Sequence, residues 1–484
     1  MPPPPVPWLP DGLLEEVFLR LPPDEPACLV RASVANKLWL GLLSGARFRS
    51  RYCEFHGDAP MLGFLYNTLS DSGSAQEDDV PLFFSTTKFG ARIPFNHWKD
   101  YTACDCRHGR ALLCDEYAGH EELVVWDPVS VTGCRTDLDA PYDVFDSYGA
   151  AVLCAVSGCD HRACHEGPFQ VAFVGTKDTE VGCVIHSFVS NPSSYSHRSN
   201  CDEDEWVETC NLELAGQHGC IVLMRPVLVN GVLYFMFFLS GEDDIAILCY
   251  DLGSQALSLI HLPDLGSNGL SLSDGSFMLI ENVDGSLGFA YMHRLILYLW
   301  SRQMSSVGAA SWTQHRVIDL KESLPIQNPE EGPDLMGSVE GRDIIFVTTD
   351  LGIYQINLNT LRWKKIWKRE EFPTLIPYMS FYNPRVVPVT LKKVSADVTV
   401  VVVLASNVTE EHSMETESLA ICLAKYRICK LHVCLMISYS HTCFHCFSRS
   451  RKLPVVCNSA SEAGDTGQQD QLRRATMDVD DQLP

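Results

Sequence analysis

The chain has 484 residues, 46% hydrophobic and 20% charged, with 37 basic against 61 acidic side chains and a formal net charge of −24. Length and composition of this kind fit two or three globular domains and exclude disorder throughout. So acidic a surface repels phosphate backbones and anionic lipid heads, which argues against nucleic-acid and membrane partners and leaves basic protein surfaces open.

The first residues, Met1-Pro2-Pro3-Pro4-Pro5, carry neither the basic nor the apolar region of a secretory signal. The longest aliphatic stretch, Val398 to Ala405, is far too short to span a bilayer. The 20 cysteines are therefore expected as thiols in cytoplasm or nucleus. Cys154, Cys183, Cys220 and Cys249 lie in apolar surroundings and read as small core hydrophobes.

In chain order, residues 8–56 have a helical pattern. Leu13, Leu14, Val17, Phe18 and Leu21 form one apolar stripe, with Asp11 as N-cap and Pro22-Pro23 as the stop. Pro26 opens a second helix carrying Leu29 and Val30, and Val34, Leu38, Trp39, Leu42 and Leu43 make a third. Three such helices bury little alone and call for a partner or a neighbouring domain.

Residues 60–390 change to short β-branched and aromatic runs between Gly, Asp, Asn and Pro turns. An apolar pair with an aromatic recurs near Phe64, Leu112, Val171, Val232, Leu287 and Ile344. That period of roughly 50–60 residues matches one four-stranded propeller blade per repeat, about six blades in all. Asp-turn endings recur at Trp126-Asp127-Pro128 and Tyr250-Asp251-Leu252-Gly253, with Asn in place of Asp at Ile356-Asn357-Leu358-Asn359. Acidic clusters at 71–79, 202–205 and 242–244 read as solvated loop tips. Residues 391–484 break the pattern and are expected to be largely disordered, apart from one more strand near Val398 to Val403. The expected fold class is thus α+β multidomain, a small three-helix module followed by an all-β, propeller-like domain.

The N-terminal residues Leu9-Pro10-Asp11, Leu13 to Phe18, Leu21-Pro22, Leu29 to Ser33 and Lys37-Leu38-Trp39 resemble the F-box. The continuation through Arg51-Tyr52, Phe55-His56-Gly57 and Pro60 to Phe64 resembles a plant, grass-type subgroup that joins the F-box to a β-rich F-box-associated domain. Leu287 to Ala290, Leu297 to Ser301, Arg316 to Leu320 and Pro377 to Tyr382 resemble that domain. The resemblance implies a non-catalytic receptor subunit of a Skp–cullin–F-box ubiquitin ligase. A Skp-family adaptor, and through it a cullin, would bind at Leu9, Pro10, Val17, Leu21, Pro22, Leu29, Val30 and Trp39, and the β domain would hold a client protein. The alternative is a propeller scaffold with no ligase output. The sequence departs from the pattern at Gly12, at Ala35-Asn36 and at Leu40-Gly41; a polar Asn36 where a small apolar residue is usual is expected to weaken the adaptor contact.

No phosphate loop, dinucleotide fingerprint, zinc-protease helix motif or nucleophile elbow occurs, so no catalytic centre and no cofactor are expected. Two Cys/His groups are candidate metal sites: Cys159, His161, Cys164 and His165 with Cys154, and Cys429, His432, Cys434, His441, Cys443, His445 and Cys446. Neither has two close pairs at a standard interval, so the sequence alone assigns no metal.

Overall fold

Pro10 leads into α1 (Asp11–Leu19), the first of four short helices, followed by α2 (Pro26–Ala35), α3 (Lys37–Leu43) and α4 (Ala46–His56). The computed structural model describes residues 10–67, 83–87, 101–115, 122–128, 135–139, 141, 145–161, 164, 167–190, 206–222, 224–240, 245–266, 269–304, 310–328, 332–368, 374–382 and 384, and the backbone of 400–403 and 434–437. The chain divides into two compact units, Met1–Ile437 and Ser438–Pro484, and every described residue belongs to the first.

The helices number four where three were expected. The mostly polar segment after Gly45 continues as α4 because Phe48 and Tyr52, one turn apart, pack inward with Leu14, Phe18, Leu19, Leu29 and Leu43. The Tyr52 hydroxyl donates to the Leu21 carbonyl at 2.8 Å and ties α4 to the end of α1. Asp11 stands inside the first turn of α1 rather than at its cap, where its charge still meets the positive end of the helix. Asn36 is the N-cap of α3: its Oδ1 accepts from the Leu38 amide at 2.8 Å.

The strands that follow make six antiparallel sheets arranged as blades. Blade 1 is Tyr101–Arg107, Arg110–Asp115, Glu122–Trp126 and Arg135–Asp139, and blade 2 is Ser147–Cys154, Phe169–Thr179, Gly182–Ser190 and Val207–Ala215. In blade 3, Gly219–Ile221 and Val227–Val229 share the inner edge, followed by Val232–Leu239, Ile245–Asp251 and Ala256–His261. Blade 4 is Ser276–Glu281, Leu287–His293, Ile296–Met304 and Ala310–Asp319; blade 5 is Asp334–Ser338, Ile344–Thr349, Gly352–Asn357 and Trp363–Trp367. Blade 6 is composite, with Thr374–Met379 inside, then Met61–Asn67, then Phe83–Ser85.

Each inner strand neighbours the next, and Thr374–Met379 lies against both Asp334–Ser338 and Tyr101–Arg107, so the ring closes. Closure joins the two ends of the domain, Met61 pairing with Met379 and Asn67 with Thr374. Apolar side chains fill the space between consecutive blades, as with Val171 and Phe173 of blade 2 against Leu112 and Val125 of blade 1. Sheet-on-sheet packing of this kind leaves only the outermost strands as edges.

The helical module packs on the neighbouring propeller. Val30 and Val34 of α2 pack into the core between blades 6 and 1, and Phe381 packs back against the helices, edge-on to Tyr52 at 5.9 Å. Val400–Val403 and Cys434–Ile437 form an antiparallel pair inside the region expected to be a largely disordered tail. The rest of that region and the three acidic clusters lie outside the described residues.

The blade 6–blade 1 seam gives a simple test. The Tyr378 hydroxyl, fully buried, sits 3.1 Å from the Gly109 carbonyl and 3.2 Å from Asp127 Oδ1. Tyr378→Phe removes the hydroxyl from both buried acceptors and costs about 0.5–1.5 kcal/mol, read as a lower urea midpoint with unchanged circular dichroism.

Candidate functional site

On α1, Leu14 and Phe18 face inward while Leu13 and Val17, one turn apart, face outward with 54% and 52% of their surface exposed. Leu38 on α3 is 67% exposed. Phe55 on α4 is 52% exposed as well. An exposed large apolar side chain is ordinary alone, but four on so small a module, two of them one turn apart on α1, leave apolar surface that a partner can cover. A polar clamp holds α1 on α4: Arg51 meets Glu15 and Glu16, each at 2.7 Å, and Glu16 also pairs with Arg20 at 3.1 Å. These guanidiniums, Arg51 first, hold the Glu16 carboxyl below its ordinary value.

The residues expected at the adaptor contact divide into groups. Pro10, Val17 and Pro22 are exposed, and Leu21 and Trp39 are half-buried. Trp39 lies edge-on to Phe18 at 5.2 Å, and its buried indole N–H has no acceptor. Leu29 is packed in the helical core and Val30 in the seam between blades 6 and 1, so both are buried in the chain by itself. Leu9 lies outside the described residues. Leu13 and Leu38, which were not among the expected contacts, are exposed as well.

A second feature lies on the propeller axis. Asp105 and Arg107 end the inner strand of blade 1, Arg225 interrupts the inner edge of blade 3, and Glu340 follows the inner strand of blade 5. Arg107 pairs with Asp105 and with Glu340, its Nε reaching Glu340 Oε2 at 3.0 Å. Arg225 reaches Asp105 Oδ1 at 3.0 Å and Glu340 Oε2 at 2.9 Å. The spare oxygen capacity goes to backbone amides, Val152 to Asp105 at 2.9 Å and Leu228 to Glu340 at 3.2 Å. Two carboxylates thus face two guanidiniums, all hydrogen-bonded to one another, which suits a brace across blades better than a ligand pocket.

Glu281, ending the inner strand of blade 4, is the unbalanced charge. Burial first, then Glu340, pushes its carboxyl from 4.5 up to about 7. Burial opposes ionisation of Glu340 too, yet Arg107 and Arg225 hold that carboxyl down at about 2. A carboxyl raised on folding gives stability that is full below its unfolded value and lost as pH rises through its folded value; a depressed one loses its contribution as pH falls. For this pair, stability therefore declines between about pH 4.5 and 7 through Glu281, and again below about pH 4.5 through Glu340. Glu281→Gln flattens the first decline, which urea midpoints at about pH 5 and pH 8 measure.

The third feature sits in the long connection from Ala155 to Pro168, between the first two strands of blade 2. Cys154, Cys159, His161 and Cys164 bring three sulfurs and one imidazole nitrogen within 4.8 Å of one another. The sequence assigned no metal to this group because its spacing is irregular; the fold brings four of its five members together, His165 lying outside the described residues. Burial, then Cys154 and Cys159, pushes the Cys164 thiol up to about 12. His161 stacks on His108 of the neighbouring blade 1 turn with centroids 4.4 Å apart, and burial followed by His161 lowers His108 to about 4. Of the cysteines expected in cores, Cys183 and Cys249 are buried, Cys154 is half-buried and Cys220 is exposed. The other Cys/His group has no described side chains.

Among the described residues no helix is long and apolar enough to cross a membrane. No protein-family model matches the chain, and no curated protein matches it. Solved structures resemble it only distantly. A Lactobacillus plantarum protein is 10% identical, with a TM-score of 0.29 over 66% of this chain and 98% of its own. The WD40 domain of SCAP from fission yeast is 14% identical, with a TM-score of 0.29 over 65% of each chain. The Aleuria aurantia lectin with α-methyl-L-fucoside is 14% identical, with a TM-score of 0.29 over 58% of this chain and 78% of its own. The propeller assignment rests on the chain's own strand order.

Proposed function

We propose that this chain is the substrate-recognition subunit of a Skp–cullin–F-box ubiquitin ligase. The observation that carries the reading is the outward apolar pair Leu13 and Val17 on α1, a helix whose inner face, Leu14 and Phe18, is already packed in the helical core. The F-box-like order of residues from Pro10 to Trp39 supports a Skp-family adaptor as what covers that face. The propeller is a rigid platform with connecting loops at both ends, suited to holding a client protein. No residue of the chain need make or break a bond: the receptor raises the local concentration of client lysines near a charged conjugating enzyme. Because Val30 and Val34 seat α2 on the propeller, adaptor and client would be held in one fixed relation rather than on a swivel.

The experiment is affinity capture of the full chain with a Skp-family adaptor and a cullin. Capture of both supports the ligase reading. Capture of the adaptor without the cullin points to a non-ligase scaffold, and capture of neither removes the adaptor from the proposal.

A further inference from the structure

We propose that Cys154, Cys159, His161 and Cys164 form a structural zinc site that staples the blade 2 connection to the end of the propeller. The donor set is three thiolates and one imidazole, the soft S/N combination that zinc takes in closed, four-coordinate sites with no position left for substrate. Zinc–sulfur bonds of about 2.3 Å place tetrahedral ligand atoms about 3.5–3.8 Å apart. The four atoms already lie within 4.8 Å, and His161 Nδ1 is 3.7 Å from Cys164 Sγ, so small side-chain rotations close the site.

Local geometry prepares the sulfurs to carry charge. The Val156 amide donates to Cys154 Sγ at 3.5 Å and the His161 amide to Cys159 Sγ at 3.4 Å. Amides aimed at sulfur stabilise thiolate over thiol and orient the ligand. His161 holds a left-handed backbone, φ +59°, as does Gly158, φ +67°. That conformation is uncommon for a residue with a side chain and marks a site where the surroundings require it.

The connection also needs a staple. Blade 1 links its first two strands by the turn His108-Gly109, whereas blade 2 uses Ala155 to Pro168. That stretch contributes almost nothing apolar to a core: Val156 is 42% exposed, and Cys164 is its buried member among the described residues. Arg110, buried beneath it, donates to the Cys164 carbonyl at 3.3 Å and to the Gly167 carbonyl, which anchors the far end, and the Ala155 amide closes the base of the connection on the Pro168 carbonyl at 3.1 Å. A metal would fix the stretch between, and through His161 it would fix the stack on His108, next to Arg107 of the axial charge network.

Metal content of the full chain tests this, with the protein purified under reducing conditions from zinc-supplemented cells. Cys159→Ser and His161→Asn each remove one ligand; asparagine tolerates the left-handed backbone of position 161. Cys220→Ser, at an exposed cysteine outside the cluster, is the control. The expected result is that both site variants lose one equivalent of zinc relative to wild type, while the control keeps it and all circular dichroism spectra superimpose. Comparing variants also separates this site from metal held by other cysteines. In wild type, alkylation of Cys154, Cys159 and Cys164 should accelerate at least tenfold on chelation, with cysteines elsewhere unaffected. Equal zinc in wild type and site variants, no zinc in wild type, or a disulfide joining two of the three cysteines would each overturn the proposal.

Discussion

Arg107→Met lowers the unfolding free energy by about 3–5 kcal/mol, the range for removing one partner of a buried ion pair. Its side chain is 2% exposed and the Asp105 carboxylate is 0% exposed, so water cannot replace the lost guanidinium. The remaining partner sets where in that range the value falls. Arg225 still touches Asp105 and Glu340, which keeps the loss near the lower end. Arg225→Met should cost less, since its side chain is 16% exposed and Arg107 then holds both carboxylates. The double variant should lose more than the sum, because both carboxylates are then unpaired. Arg107→Lys is no rescue: one ammonium cannot serve Asp105, both oxygens of Glu340 and the Pro226 carbonyl together. Urea unfolding of the four variants decides this. A loss under about 1 kcal/mol for Arg107→Met would mean the brace adds nothing that packing does not.

The paired variant Leu13→Asp/Val17→Asp abolishes adaptor capture without unfolding the chain. Both side chains are more than half exposed, so charge there leaves the helical core intact. Covering the exposed half of each is worth about 0.8–1.5 kcal/mol, so losing both weakens binding by roughly 10-fold to 150-fold before charge repulsion is counted. Leu29→Ala is the contrasting variant. It opens a cavity in the module and costs about 2–5 kcal/mol of stability, and capture falls only as far as the module unfolds. Calorimetric titration with a Skp-family adaptor, alongside thermal unfolding, separates the two. If Leu13→Asp/Val17→Asp binds like wild type, the adaptor does not use this face.

The six recurring positions read from the sequence all fall on the second strand of a blade: Phe64, Leu112, Val171, Val232, Leu287 and Ile344. Second strands are sandwiched within their sheet and between blades, so they carry unbroken apolar runs that stand out in a sequence. Inner strands were harder to see because the axis lets them be polar, as with Asp105 and Arg107 in Tyr101–Arg107. The turn endings were legible for a local reason: Asp251 Oδ1 accepts from the amides of Gly253 and Ser254, and Asn357 Oδ1 from those of Asn359 and Thr360. Partners distant in sequence were not legible. Arg225 and Glu340 stand 115 positions apart, and no local pattern announces such a pair. The sequence placed Leu29 and Val30 together on α2, but nothing local says that the propeller covers Val30. The Cys/His group failed the spacing test because its convergence is set by a loop path, not by a hairpin of standard length.

The composite sixth blade has a consequence for how the protein is made. Met61–Asn67 leaves the ribosome early, but its partner Thr374–Met379 is synthesised about 310 residues later; at roughly 5–20 residues per second that is a wait of about 15–60 s. During that interval the strand presents an open edge, and Val30 and Val34 lack the seam that will cover them. A transcript cut short anywhere before residue 374 yields a chain whose ring never shuts, with its first strand left bare for chaperones or for pairing with another nascent copy.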